Sequence, residues 1–224
     1  MEGKFDIVAG RLRALRAAMR GCTRCAALVR CRAQVVPGHG AAPATVAFVG
    51  LAPGRLGGDR TGIPFSGDRS GNLLRRMIAD TDLERVFITN LVRCNPRDRH
   101  GRNRDPSARE IANCRSHLAA ELALVCPRVV VCLGAAAWRE LAGRGAPFQP
   151  RRAAAINNGG LLLYPMYHPA YIVRGAYAAQ DYMWDFMRLE RLCRRLASPG
   201  GRTDASSAGQ SPAPRQRPTD LGVI

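Results

Sequence analysis

Residues 45–74 read TVAFVGLAPGRLGGDRTGIPFSGDRSGNLL. The stretch opens with an apolar run, 46–50, of the length expected for a buried strand, and breaks at Gly50. Before the next helical pattern the chain passes five more glycines, two prolines and an isolated Phe65. A strand that feeds a glycine-rich loop aims backbone N–H groups at one place and lets a ligand come close to them. Phe65 and two acids, Asp59 and Asp68, share the loop, which suits a planar polar ligand held against backbone.

Outward from this loop the chain alternates strand and helix. A second strand is predicted over 85–92 and passes Asn90 near its end, a third over 128–134, and a fourth over 161–166 that runs into Tyr167-His168-Pro169-Ala170-Tyr171. Helical patterns occupy 71–80, 105–127, 135–142 and 177–196, and a basic amphipathic helix occupies 5–20. The long helix begins with Pro106 in its first turn and with Ser107 and Glu110 spaced as a capping box. Residues 145–160 show little beyond the turn signal Asn157-Asn158-Gly159-Gly160. The alternation predicts an α/β fold, three layers α/β/α with a central, mainly parallel four-stranded sheet. Ligands in such folds sit beyond the carboxyl ends of the strands, so the first loop, Asn90 and His168 are expected to meet at one rim.

Composition sets the frame. The chain has 224 residues, enough for one well-cored domain, placed at 1–197, while 198–224 is rich in Ser, Pro, Gly and Ala and reads as a disordered tail. Lys and Arg number 34 against 17 Asp and Glu, a net charge of +17, of which the tail carries only +1. A folded body at +16 calls for a polyanionic partner such as nucleic acid. Lys4 is the only lysine and lies in no motif, which argues against Schiff-base chemistry. The N-terminus lacks the continuous apolar core of a signal peptide and no run is long enough to cross a membrane, so the chain is expected to be cytoplasmic. In that compartment eight cysteines mean metal or packing before disulfides.

Three constellations carry chemistry. Cys22 and Cys25, two residues apart, have the bite of a metal or cluster site, and Cys94 and Cys114 flank a basic loop at 97–104. Four thiolates suit a structural zinc or a four-iron cluster equally well, with free core cysteines as the plain alternative. Cys126, Cys132 and Cys193 read as packing residues, and Cys31 as a fifth candidate ligand. Phe65 and Asn90 form the second constellation, an aromatic face to stack on a base and an amide offering one donor and one acceptor to its edge. His168, held between a strand end and Pro169, is placed to donate to an oxygen that gains negative charge. His39, His100 and His117 read as loop or helix-surface residues. Of the two acids, Asp59 is expected to pair with Arg60 or cap a turn, and Asp68 has helix capping as its structural reading.

Together these motifs resemble the uracil-DNA glycosylase superfamily over most of residues 15–195. GLAPGRLGGDRTGIPFSGDRSG is similar to the first motif of its iron-sulfur branches, TNLVRCNP to the segment with the base-reading Asn, and YHPAYIVRG to the HPS-type motif. The resemblance implies a four-iron, four-sulfur (4Fe-4S) cluster on Cys22, Cys25, Cys94 and Cys114. Leu51 stands where family 4 has a Glu, which matches family 5, or type b. Asp59 replaces that family's Asn before Arg60, and Ala170 replaces a Ser whose hydroxyl would contact a DNA phosphate.

What the resemblance implies is a monofunctional base-excision enzyme, a monomer that flips a nucleotide out of DNA and hydrolyses the glycosidic bond of uracil, with hypoxanthine or etheno-adducted bases as further substrates. Phe65 would stack on the base, Asn90 read its edge, main chain from Leu51 to Gly54 line the pocket, His168 stabilise the leaving oxygen, and Asp68 stabilise the sugar cation or position water. The competing reading is a catalytically inactive iron-sulfur module that only binds nucleic acid, favoured by the missing acid at Leu51.

Overall fold

The computed structural model describes residues 2–197. Residues 198–224, expected as a tail, lie outside the described residues. Helix α1 (Glu2–Arg20) and a short α2 (Ala26–Cys31) precede a two-residue strand β1 (His39–Gly40) and strand β2 (Val46–Gly50). One helical turn, α3 (Gly58–Thr61), interrupts the first loop, followed by α4 (Arg69–Ala79), β3 (Val86–Asn90), α5 (Ala108–Val125), β4 (Val129–Leu133) and α6 (Ala135–Ala142). A 3₁₀ turn at Pro150–Arg152, β5 (Ile156–Asn158), β6 (Leu161–Met166), α7 (Pro169–Val173) and α8 (Ala179–Ala197) complete the chain.

The sheet order is β1-β3-β2-β4-β6-β5. Its inner four strands are the predicted ones and pair in parallel, with Gly50 opposite Asn90 and Leu133 opposite Met166. The expected four-stranded sheet therefore gains two short antiparallel edges, β1 on β3 and β5 on β6. Both edges are too short to leave a periodic signal in the sequence.

Alternation along the inner strands divides the core. Phe48, Ile88, Val131 and Met166 face α4, α7 and α8, where Leu74, Tyr182, Phe186 and Leu189 bury against them. Val49, Phe87, Val130 and Cys132 face the other way, onto Leu12 of α1, Leu118 and Leu122 of α5, and Trp138 of α6. The predicted capping box is present on α5: Ser107 accepts from the Glu110 backbone N–H at 3.2 Å, and the Glu110 carboxylate accepts from Ser107 N–H at 2.7 Å. Among the described residues, no helix is long and apolar enough to cross a membrane.

Order matters for the site. From β2 the chain moves to β3 on one side and then to β4 on the other, so the loops after β2 and β3 part company and leave a crevice at the carboxyl ends.

Candidate active site

That crevice is a cleft of about 370 Å³. Leu51, Ala52, Gly54, Phe65, Asp68, Asn90 and His168 all line it. Asn90 is the last residue of β3 and 1% exposed. Neither its amide oxygen nor its amide nitrogen has a hydrogen-bond partner. Its backbone is fixed instead, because its carbonyl accepts from the Arg93 guanidinium, which is ion-paired in turn with buried Glu121. Two unmade hydrogen bonds on a buried, immobilised amide are costly unless something enters the cleft to make them.

Phe65 stands beside Asn90 with a left-handed backbone, φ 51°, a conformation that few non-glycine residues adopt. Arg75 holds it there by donating to the Phe65 carbonyl at 2.7 Å and to the Pro64 carbonyl at 2.8 Å. Gly50 is what lets ring and amide share the strand end: a Cβ at this position would lie 2.6 Å from both Phe65 Cζ and Asn90 Oδ1.

His168 caps α7, a helix that was not foreseen, and its Nδ1 accepts from the Ala170 N–H at 3.1 Å. Burial, with a smaller contribution from Arg174, lowers its pKa to about 4, so the ring is neutral at physiological pH. A neutral imidazole whose Nδ1 accepts must carry its proton on Nε2. His168 is thus a neutral donor in the cleft wall, its ring centroid 5.5 Å from that of Phe65.

Asp68 is the N-cap of α4, its Oδ1 accepting from Gly71 N–H at 2.7 Å. The capping alternative is therefore realised, and it uses one oxygen. Oδ2 fills the space left by two loop glycines, since a Cβ on Gly57 would meet it at 2.0 Å and one on Gly54 at 3.0 Å.

Asp59 departs from expectation. It pairs with Arg97, at 2.5 Å, and not with Arg60, and its oxygens accept from Ala33 N–H at 3.0 and 3.2 Å. Wholly buried, it ties the first loop to the segment after α2 and to the basic loop. Asn95, which the motif reading left without a role, extends that tie. It donates to the Pro53 carbonyl at 2.7 Å and to Asn103 Oδ1 at 2.9 Å, and both Asn95 and Asn103 line the cleft. Arg174, also a lining residue, brings positive charge to the cleft, whereas Arg104 beside it is held in a two-point pair with Glu110, at 2.6 and 2.8 Å.

The four candidate ligand cysteines line a second, small cavity between the turn joining α1 to α2, the segment that follows β3, and α5. Each sulfur has a nitrogen neighbour: Arg32 Nη1 3.1 Å from Cys94, Arg93 N 3.3 Å from Cys114, Asn113 Nδ2 3.4 Å from Cys25, and His117 Nε2 3.4 Å from Cys22. Burial pushes the Cys94 thiol up to about 11, offset in part by Arg32, and raises the Cys114 thiol as well. Among the described residues no three His, Cys, Asp or Glu are arranged to hold a single metal ion. A soft four-sulfur donor set with hydrogen-bond donors and arginines around it fits the chemistry of an iron-sulfur cluster, whose sulfurs carry negative charge.

His117 is thus no surface histidine. It lies three residues after Cys114 on α5, and that spacing, which puts both on one helix face, was the available signal. Cys31 bonds the Leu28 and Asn95 carbonyls and stays out of the cavity. Cys132 and Cys193 are buried as expected, but Cys126 is exposed, because the chain turns left-handed there to end α5.

A model of the uracil DNA glycosylase superfamily matches residues 37–188. The chain is similar to the type-4 uracil-DNA glycosylase of Archaeoglobus fulgidus, 32% identical over 77% of this chain and 88% of that protein. It is also similar to the type-5 uracil-DNA glycosylases of Pyrobaculum aerophilum, 35% identical over 66% of this chain and 78% of that one, and Mycobacterium tuberculosis, 32% identical over 60% and 57%.

Proposed function

The chain belongs to the uracil DNA glycosylase superfamily, and from that premise we propose that it is a monofunctional DNA glycosylase that excises uracil from DNA. The buried, unpaired Asn90 amide, in one cleft with Phe65 and His168, is the observation that carries this reading. At about 370 Å³ the cleft has room for a single nucleotide and not for a duplex, so the nucleotide must leave the stack and enter alone. Its base then stacks on Phe65, and the Asn90 amide, one donor beside one acceptor, pairs with the base edge.

In the hydrolysis the bond between C1′ and the base nitrogen breaks and its electron pair leaves on the base. His168 donates from Nε2 to the base carbonyl oxygen on which that charge gathers, and being neutral it need not give up its proton. Water supplies the oxygen that bonds C1′, and one of its protons is released. Asp68, through the oxygen not used in capping, stabilises the sugar cation or holds that water. Arg174 contacts a flanking phosphate.

Cys22, Cys25, Cys94 and Cys114 would hold a 4Fe-4S cluster. Bound there, the group would cross-link the turn after α1, the segment after β3 and α5, a structural rather than chemical contribution. Activity on hypoxanthine or etheno-adducted bases, and action as a cytoplasmic monomer, belong to the same proposal. The test is incubation with a uracil-containing duplex followed by alkali. Strand cleavage at the uracil is expected. Tight binding with no cleavage would instead mean an inactive binding module.

A further inference from the structure

At the opposite end of the sheet, where the parallel strands begin, lies a second cleft of about 640 Å³. It is formed by the carboxyl-terminal half of α8 and the turn at 152–155. Its position is fixed by Arg128, which donates to the Leu196 carbonyl at 2.5 Å just before β4 starts, and by Arg194, which pairs with Asp82 at 2.6 Å ahead of β3. The base cleft is at the other end of those strands.

Arginines dominate the lining. Arg188, Arg191 and Arg195 follow one another at three and four residues along α8, so they share a face, and Arg152 stands across from them. Arg188 pairs with Asp185 at 3.2 Å, and Arg194 with Glu190 as well as Asp82. Arg152, Arg191 and Arg195 have no carboxylate partner among the described residues. Three guanidiniums held together without counter-charge repel one another, and an anion with several oxygens relieves that repulsion.

The floor supplies an independent observation. Tyr164 on β6 lines this cleft, is 2% exposed, and its hydroxyl has no hydrogen-bond partner. Its neighbours in charge are Asp185 and Arg188. A phenylalanine would fill the same apolar space without leaving a donor unmet. A hydroxyl kept here is explained by an acceptor that comes from outside.

We propose that this cleft is a second phosphate-binding site, remote from the base cleft, in which Arg152, Arg191 and Arg195 bind phosphate oxygens and the Tyr164 hydroxyl donates to one of them. The phosphate has two sources, a free phosphate and the backbone of a second nucleic-acid segment. Chemistry at the site is the same for both.

The experiment uses the full-length, iron-loaded protein and a uracil-free single-stranded hexanucleotide, with bound copies counted by native mass spectrometry and affinities taken from calorimetry. Two copies per chain are expected. Arg152→Ala/Arg191→Ala/Arg195→Ala should bind one, and Tyr164→Phe, with charge unchanged, should weaken the second copy by about 10-fold, the loss of one charge-assisted hydrogen bond. Excision of uracil by either variant should stay within about 2-fold of wild type, because neither touches the base cleft. Inorganic phosphate that displaces the second copy alone identifies a free phosphate as sufficient. Displacement that requires an oligonucleotide identifies the backbone. Wild type and both variants binding the same number of copies with equal affinity would overturn the proposal. A wild type that binds one copy, lost in the triple variant, would leave this site standing and count against DNA binding at the base cleft.

Discussion

Replacing Asn90 by Leu should make the protein more stable and nearly abolish excision. Leucine has close to the shape of asparagine, so it fits the space bounded by Gly50 and Phe65 without a cavity. In the free protein the amide leaves one donor and one acceptor unpaired at 1% exposure, and removing both recovers a desolvation penalty of about 1–3 kcal/mol for each group at most. Water reaching the cleft lowers that figure, and a net gain of about 1–2 kcal/mol is expected, which for a domain of this size raises Tm by roughly 2–8 °C. Excision loses both contacts to the base edge, so single-turnover cleavage of a uracil duplex should fall by at least about 10²-fold. Thermal melts and gel-based cleavage on the same preparations give both numbers. If the variant is less stable and cuts as fast as wild type, the amide is a structural strand end and the base-reading role is wrong.

Four further outcomes follow from the same geometry. Asp68→Asn keeps the cap on Gly71 N–H but loses the charge of Oδ2, so thermal stability should change by a few tenths of a kcal/mol at most while the single-turnover rate drops by about 10²-fold. Full activity in Asp68→Asn would remove the catalytic role from this carboxylate. Because His168 has a folded pKa of about 4, below its unfolded value, its contribution is complete above about pH 6.5 and is lost as pH falls toward 4. Urea unfolding at pH 7.5 and 5 should show a loss at most about 2 kcal/mol larger in wild type than in His168→Asn, and equal losses would contradict the buried neutral ring. Arg97→Ala strands the wholly buried Asp59 and should cost about 3 kcal/mol in a denaturant titration, whereas Arg60→Ala should be nearly neutral. Cys94→Ala should lower iron content and soluble yield together, and a variant that still carries about four irons per chain would remove Cys94 from the ligand set.

Much of the fold was written locally. Each inner strand is a short apolar run bounded by Gly, Asn or Pro, the start of α5 is a four-residue capping pattern, and the glycines of the first loop mark where main chain must pass close to Asn90 and Phe65. From strand order alone, the rule that ligands gather at carboxyl ends brought Leu51, Phe65, Asp68, Asn90 and His168 to one cleft. What the sequence could not determine was which polar atoms are paired. Asp59 finds Arg97 at 38 residues' separation, and His117 finds Cys22 at 95. No period or cap encodes such partners, because they depend on how whole elements dock. The same holds for the groups left without partners: Asn90 and Tyr164 are ordinary residues of ordinary strands, and only burial from every side, set by packing of distant helices, turns their unmet hydrogen bonds into evidence for a ligand.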